Sequence, residues 1–136
     1  MKKKIVILGS TGSIGSTTVN IVKNNLKDFN VIAISANKNI NKIFKQAKLL
    51  NAKNVIISNK DKYLIFKKKF KNSRIKIHNN HKLLNKIIKK KVDYTMCAIS
   101  GLSGLQPTLD AIRYSKTVGI ANKESIVCAW NLINKN

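Results

Sequence analysis

Short runs of consecutive apolar, β-branched residues punctuate this chain, and between them apolar residues recur at helical spacing. Ile5-Val6-Ile7-Leu8 is wholly apolar and bounded by lysine and glycine, the pattern of a strand buried on both faces. Ile14, Val19, Ile21 and Val22 then lie in a polar segment that predicts a helix ending near Asn24-Asn25. Val31–Ile34 is a second buried strand, Ile43, Phe44, Ala47 and Leu50 mark a second helix, and Asn54–Ile57 is a third strand. Asp61–Phe70 reads as a lysine-framed helix, Ile75–Ile77 as a short strand, and Leu83, Leu84, Ile87 and Ile88 as a helical stripe. Val92–Ile99 is a central strand. After Gly101 and Gly104, Pro107 suits a first helical turn, with Leu109 and Ile112 carrying the helix onward. Thr117–Ala121 is the last strand and Glu124–Leu132 the last helix. Strands alternating with helices predict an α/β fold, a doubly wound parallel sheet with right-handed crossovers, in a single domain over 1–136.

The composition narrows the function classes. Twenty Ile in periodic clusters exclude disorder, six Gly and one Pro exclude collagen, and two Cys exclude a disulfide scaffold. No window of eighteen apolar residues occurs, so no membrane span is expected. Met1-Lys2-Lys3-Lys4 has the basic start of a signal peptide, but only Ile5–Leu8 is apolar before Gly9, which points to a cytoplasmic protein. Cys97 and Cys128 lack the Cys-x-x-Cys spacing of a zinc site, and Cys97 sits in an apolar run as a core residue. His78 and His81 fall in an asparagine-rich stretch that reads as a loop rather than a metal site.

The net charge of +22 has the footprint of a nucleic-acid binder. Of the 27 basic residues, however, only Arg74 and Arg113 are arginine, whereas base readout and bidentate phosphate clamps favour arginine. Lys, Ile and Asn, which share A/T-rich codons, make up 63 of 136 residues. The charge therefore reads as genome composition on solvated surfaces, with no specific nucleic-acid partner expected.

The chemistry begins where the first strand ends. It runs directly into Gly9-x-x-Gly12-x-x-Gly15, and a helix follows. Glycines allow a tight turn and close backbone approach, and a helix start offers free N–H groups and positive potential to a pyrophosphate. Ser10, Thr11 and Ser13 add hydroxyl donors. No Gly-Lys-Ser/Thr follows, which excludes a P-loop. An NAD site places Asp or Glu at the end of the second strand, to hold the ribose hydroxyls. Ser35-Ala36-Asn37-Lys38-Asn39 stands there instead, without an acid, and suits the 2′-phosphate of NADPH. Ala121-Asn122-Lys123-Glu124-Ser125 brings amide, amine and acid to a late strand–helix junction, where they can face a ligand or cap the helix.

Together, Gly9–Gly15 (GSTGSIG), Ser35–Asn39, Ala98–Leu105 (AISGLSGL) with Pro107-Thr108, and Ala121–Ser125 (ANKES) resemble the 1-deoxy-D-xylulose 5-phosphate reductoisomerase family. The likeness covers nearly the whole chain but only that family's N-terminal NADPH-binding domain. It implies a rearrangement and reduction, dependent on NADPH and on Mg²⁺ or Mn²⁺, that yields 2-C-methyl-D-erythritol 4-phosphate for isoprenoid synthesis. By resemblance, Thr11, Gly12, Ser13 and Ile14 contact the cofactor pyrophosphate, and Asn37, Lys38 and Asn39 lie by its adenosine phosphate. Asn122 and Glu124 touch the nicotinamide side, and Lys123 reaches the phosphosugar substrate. Asn37 replaces a glycine frequent in the family, a change tolerated by a left-handed conformation. Two other readings stand beside this one: another NADP-dependent dehydrogenase domain with a GxxGxxG loop, against which ANKES speaks, and a basic nucleic-acid-binding module.

The family's metal ligands begin with an Asp-Ser-Glu motif beyond its Asn-Lys-Glu segment, and no such motif occurs here. The expectation is a chain without a metal site of its own, lacking the metal-binding catalytic and C-terminal helical domains and inactive alone. The family is typically a homodimer. Ile126, Val127, Ala129, Trp130, Leu132 and Ile133 surround much of the last helix, so partial exposure of Trp130 or its neighbours and an unpaired sheet edge are expected, with marginal stability.

Overall fold

A computed structural model describes residues 1–135. The apolar runs form six parallel strands: β1 (Lys3–Leu8), β2 (Phe29–Ala36), β3 (Asn54–Ile57), β4 (Lys76–His78), β5 (Val92–Cys97) and β6 (Ser115–Ile120). Their order across the sheet is β4-β3-β2-β1-β5-β6. The chain winds outward from β1 to β4, then crosses back to lay β5 on the other side of β1. The C-terminal end of β1 is thus the switch point of a doubly wound, Rossmann-like sheet.

Alternation along β1 divides the core between the two faces. Ile5 and Ile7 join Val19 and Val22 of α1 (Ser13–Lys23), Ile43 and Ala47 of α2 (Ile40–Leu49) and Phe66 of α3 (Lys60–Lys69). Val6 and Leu8 join Leu84 of α4 (Leu84–Ile87), Ile88, and Ala111 of α5 (Leu105–Tyr114). Ile5, Val6, Ile7 and Leu8 are 3% exposed or less, which explains why this stretch of β1 carries no polar side chain. The helix expected around Leu83–Ile88 is only a 3-10 turn over His81–Leu83 followed by the single turn of α4.

The last helix, α6 (Lys123–Ile133), packs on α5 and contains a non-helical residue at Ala129. Val127, Trp130 and Leu132 are exposed on it, as the apolar circumference predicts, and among the described residues β6 has no strand on its outer side. Beside α1, an apolar recess of ≈390 Å³ is lined by Ile14, Ile21, Phe29, Tyr94 and Met96 among others. No helix among the described residues is long and apolar enough to cross a membrane.

Candidate functional site

A cavity of ≈380 Å³ lies beyond the C-terminal ends of the strands, at the switch point. Gly9, Thr11 and Gly12 line one wall, Ser35, Ala36, Asn37 and Ser58 a second, and Ala98, Ile99, Ser100 and Ser103 a third; His81 completes it. The glycine loop approaches its neighbours too closely for side chains. Gly9 has φ +80, and a Cβ there would strike the backbone of Ala98, while a Cβ on Gly15 would overlap the Gly9 carbonyl. Glycine at both positions lets α1 begin directly beneath the loop. No side chain caps α1, so its first-turn N–H groups carry an uncompensated positive end.

Polar bonds fix the loop to the second strand and second helix. The Ser10 amide donates to the Ser35 carbonyl (2.8 Å) and the Gly9 amide to the Ser35 hydroxyl (2.9 Å). Ser10 Oγ donates to Gln46 Oε1, and Gln46 Nε2 donates back to the Ser10 carbonyl. Ser10 is therefore a buried structural residue and not the free hydroxyl donor its place in the loop suggests. Above the loop, Lys42 Nζ donates to the Thr11 carbonyl at 2.9 Å, putting a cation from α2 on its outer surface.

The expected site residues divide. Thr11, Gly12 and Asn37 line the cavity. Ser13 opens α1 and is exposed, while Ile14 turns to the apolar recess. Asn37 accepts a hydrogen bond from Ser58 and does not adopt a left-handed backbone; Asn51 is the one non-glycine residue with positive φ among those described. The asparagine is thus tolerated in ordinary conformation, without the left-handed geometry anticipated for it. Lys38 is exposed just outside the cavity, and Asn39 caps α2 by accepting from the Lys42 amide.

At the other end, Asn122 is buried and caps α6 by accepting from the Ser125 amide. Its Nδ2 donates to the carbonyls of Ile99 and Gly101, clamping the loop after β5. Gly104 makes room for that amide, since a Cβ there would collide with it. Lys123 is exposed and Glu124 half-buried, both in the first turn of α6, and neither lines the cavity. Cys97 is buried and its thiol is pushed up to about 11, chiefly by burial, which makes it a core residue.

His81 was not anticipated. Its Nε2 lies 3.1 Å from Ser35 Oγ, and burial lowers its pKa to about 4, against an opposing pull from Asp110. His78, expected in a loop, ends β4 and meets Asn54 Oδ1 at 3.1 Å. The only local signal was two histidines in a polar stretch.

Residues 5–130 match the sequence profile of 1-deoxy-D-xylulose 5-phosphate reductoisomerase. The chain belongs to that family. It is 53% identical over 136 residues to the reductoisomerase of Pelagibacter ubique, covering 98% of this chain and 35% of that protein. Against the Buchnera aphidicola reductoisomerase the identity is 42%, covering 92% of this chain and 32% of its relative. The Zymomonas mobilis reductoisomerase, solved in complex with NADPH, superposes with a TM-score of 0.90 at 37% identity over 99% of this chain and 36% of its own. A reductoisomerase solved with NADPH, fosmidomycin and magnesium superposes with a TM-score of 0.87 at 29% identity, over 98% of this chain and 33% of its own. The chain spans about a third of the length of these relatives and corresponds to the family's N-terminal, NADPH-binding-like domain.

Proposed function

We propose that this chain binds NADPH across the switch-point cavity and provides the hydride-donor half of a reductoisomerase acting on 1-deoxy-D-xylulose 5-phosphate in the cytoplasm. The observation that carries the reading is the wall formed by Ser35, Ala36 and Asn37, with exposed Lys38 next to it and no carboxylate. The residues present fit the cofactor. Thr11, Gly12 and the uncapped start of α1 at Ser13 and Ile14 would hold the pyrophosphate, and Asn37 and Lys38 the 2′-phosphate. Asn39 would act by holding the first turn of α2, and Asn122 by holding the loop on the nicotinamide side, since both side chains are engaged in caps. Glu124 and Lys123 would stand at the outer rim of that side, Lys123 toward the phosphosugar. When bound, NADPH supplies the hydride.

The described residues do not fit a divalent metal. No three His, Cys, Asp or Glu side chains come together among them. Given 1-deoxy-D-xylulose 5-phosphate, NADPH and Mg²⁺ or Mn²⁺, the 136-residue polypeptide alone should oxidise no NADPH. Pairing into a homodimer, as in the full-length family, belongs to the same proposal.

Calorimetry tests the cofactor reading. NADPH should bind more tightly than NADH, and Lys38→Glu should erase the preference at a cost of about 1–3 kcal/mol for a lost charged hydrogen bond. Equal affinity of the unaltered chain for the two nucleotides would overturn it.

A further inference from the structure

The geometry points to His81 as a nucleotide-contacting residue, which presents a ring N–H from Nδ1 to an acceptor on the adenosine half of a bound dinucleotide. The inference rests on the proposed cofactor reading and adds a residue to it. His81 lines the cavity together with Thr11, Gly12 and Asn37, and its ring reaches Ser35 at the end of β2. In a doubly wound sheet the end of β2 is where the adenosine ribose is held.

The protonation pattern follows from hydrogen-bond inventory. A backbone amide always donates, so the Gly9 N–H occupies a lone pair of Ser35 Oγ at 2.9 Å. The Ser35 hydroxyl keeps one proton and one lone pair, and with no other acceptor bonded to it among the described residues its proton is placed on the bond to His81 Nε2 at 3.1 Å. Nε2 is then unprotonated, and a neutral imidazole must carry its proton on Nδ1. Burial keeps the ring in that neutral state, with Asp110 of α5 the charged group acting on it. Nδ1 has no protein hydrogen-bond partner among the described residues. The relay Gly9–Ser35–His81 couples the glycine turn to an imidazole ring in the cavity wall.

Two half-cofactors and one spectrum test this on the full chain. Adenosine 2′,5′-bisphosphate should bind about tenfold more weakly to His81→Ala, the loss of one hydrogen bond. Nicotinamide mononucleotide should bind both chains alike. His81→Gln, whose amide can both accept and donate, should restore most of the loss. In ¹⁵N spectra of the unaltered chain at neutral pH, Nε2 should be the unprotonated ring nitrogen, and the bisphosphate should shift the Nδ1 resonance. These spectra and the Gln variant decide the matter even where His81→Ala fails to fold. A proton on Nε2, a Nδ1 signal unmoved by saturating bisphosphate, or equal binding by a folded His81→Ala chain would each overturn the role of His81 alone. An unaltered chain that binds neither the bisphosphate nor NADPH would overturn the cofactor reading and this inference together.

Discussion

Ser10 and Gln46 exchange two hydrogen bonds: the Ser10 hydroxyl donates to Gln46 Oε1 at 2.8 Å, and Gln46 Nε2 donates to the Ser10 carbonyl at 2.9 Å. Both residues are buried, so neither partner can turn to water when the other is removed. Gln46→Leu leaves the Ser10 hydroxyl only the longer contact to the Ser35 carbonyl at 3.3 Å, and the Ser10 carbonyl only the Ser16 hydroxyl at 3.4 Å. The variant should lose about 1–3 kcal/mol in urea denaturation, the penalty for unsatisfied buried polar groups, and should bind NADPH more weakly as its loop loosens.

Stability should fall on the acid side. The folded chain holds His81 near 4, below its ordinary 6.5, and burial lowers His78 as well. The unfolded chain therefore takes up protons first, and stability present above pH 6.5 is lost as pH falls toward 4. For His81 the change is at most about 3 kcal/mol. Urea midpoints measured between pH 7 and 4 check it, and His81→Gln should flatten the profile.

Much of the fold was legible because buried parallel strands leave unbroken apolar runs, as in Ile5–Leu8 and Val31–Ile34. The glycine loop was legible because its demands are local. His81 was not, because its partner Ser35 lies 46 positions away and nothing in Asn79-Asn80-His81-Lys82 reveals that pairing. Asn39 and Asn122 show the converse. For Asn122 the sequence leaves cap or ligand open, and the structure engages its buried side chain as a cap, while the exposed Asn39 caps α2 in the same way. Lys42 went unnoticed as one lysine among many, and only the path of α2 brings it to Thr11.

Lys42→Met and Lys38→Glu should separate the two ends of the phosphate site. Lys42 holds the Thr11 carbonyl, next to the proposed pyrophosphate position. Its loss should weaken NADPH and NADH equally, by about 1 kcal/mol for an exposed charged contact. A selective loss of NADPH would move Lys42 to the 2′-phosphate. Titrations with both nucleotides decide.

Gly15→Ala should destabilise the domain by about 1–3 kcal/mol, because its Cβ would meet the Gly9 carbonyl, and neither backbone can yield without shifting α1. Thermal melts read this directly. Good helix propensity of alanine will not compensate.

Any DNA or RNA binding should be indifferent to sequence and fall steeply with salt, since a lysine-dominated surface acts through counterion release. Gel shifts at rising salt test it; a sequence preference that survives physiological salt would restore the nucleic-acid reading.

The central position of β1 imposes an order of assembly. Its first edge pairs with β2 early, but its second waits for β5, and the Lys4 amide meets the Asp93 carboxylate across 89 positions of chain. On the ribosome, β1 to β4 can gather once His78 has emerged, while the apolar flank of β1 stays open until Val92–Cys97 follow. Such non-local pairing is slow and leaves a strand edge available to other nascent chains. Lys2, Lys3 and Lys4 sit at the mouth of that edge, and their mutual repulsion between chains would guard it during the wait.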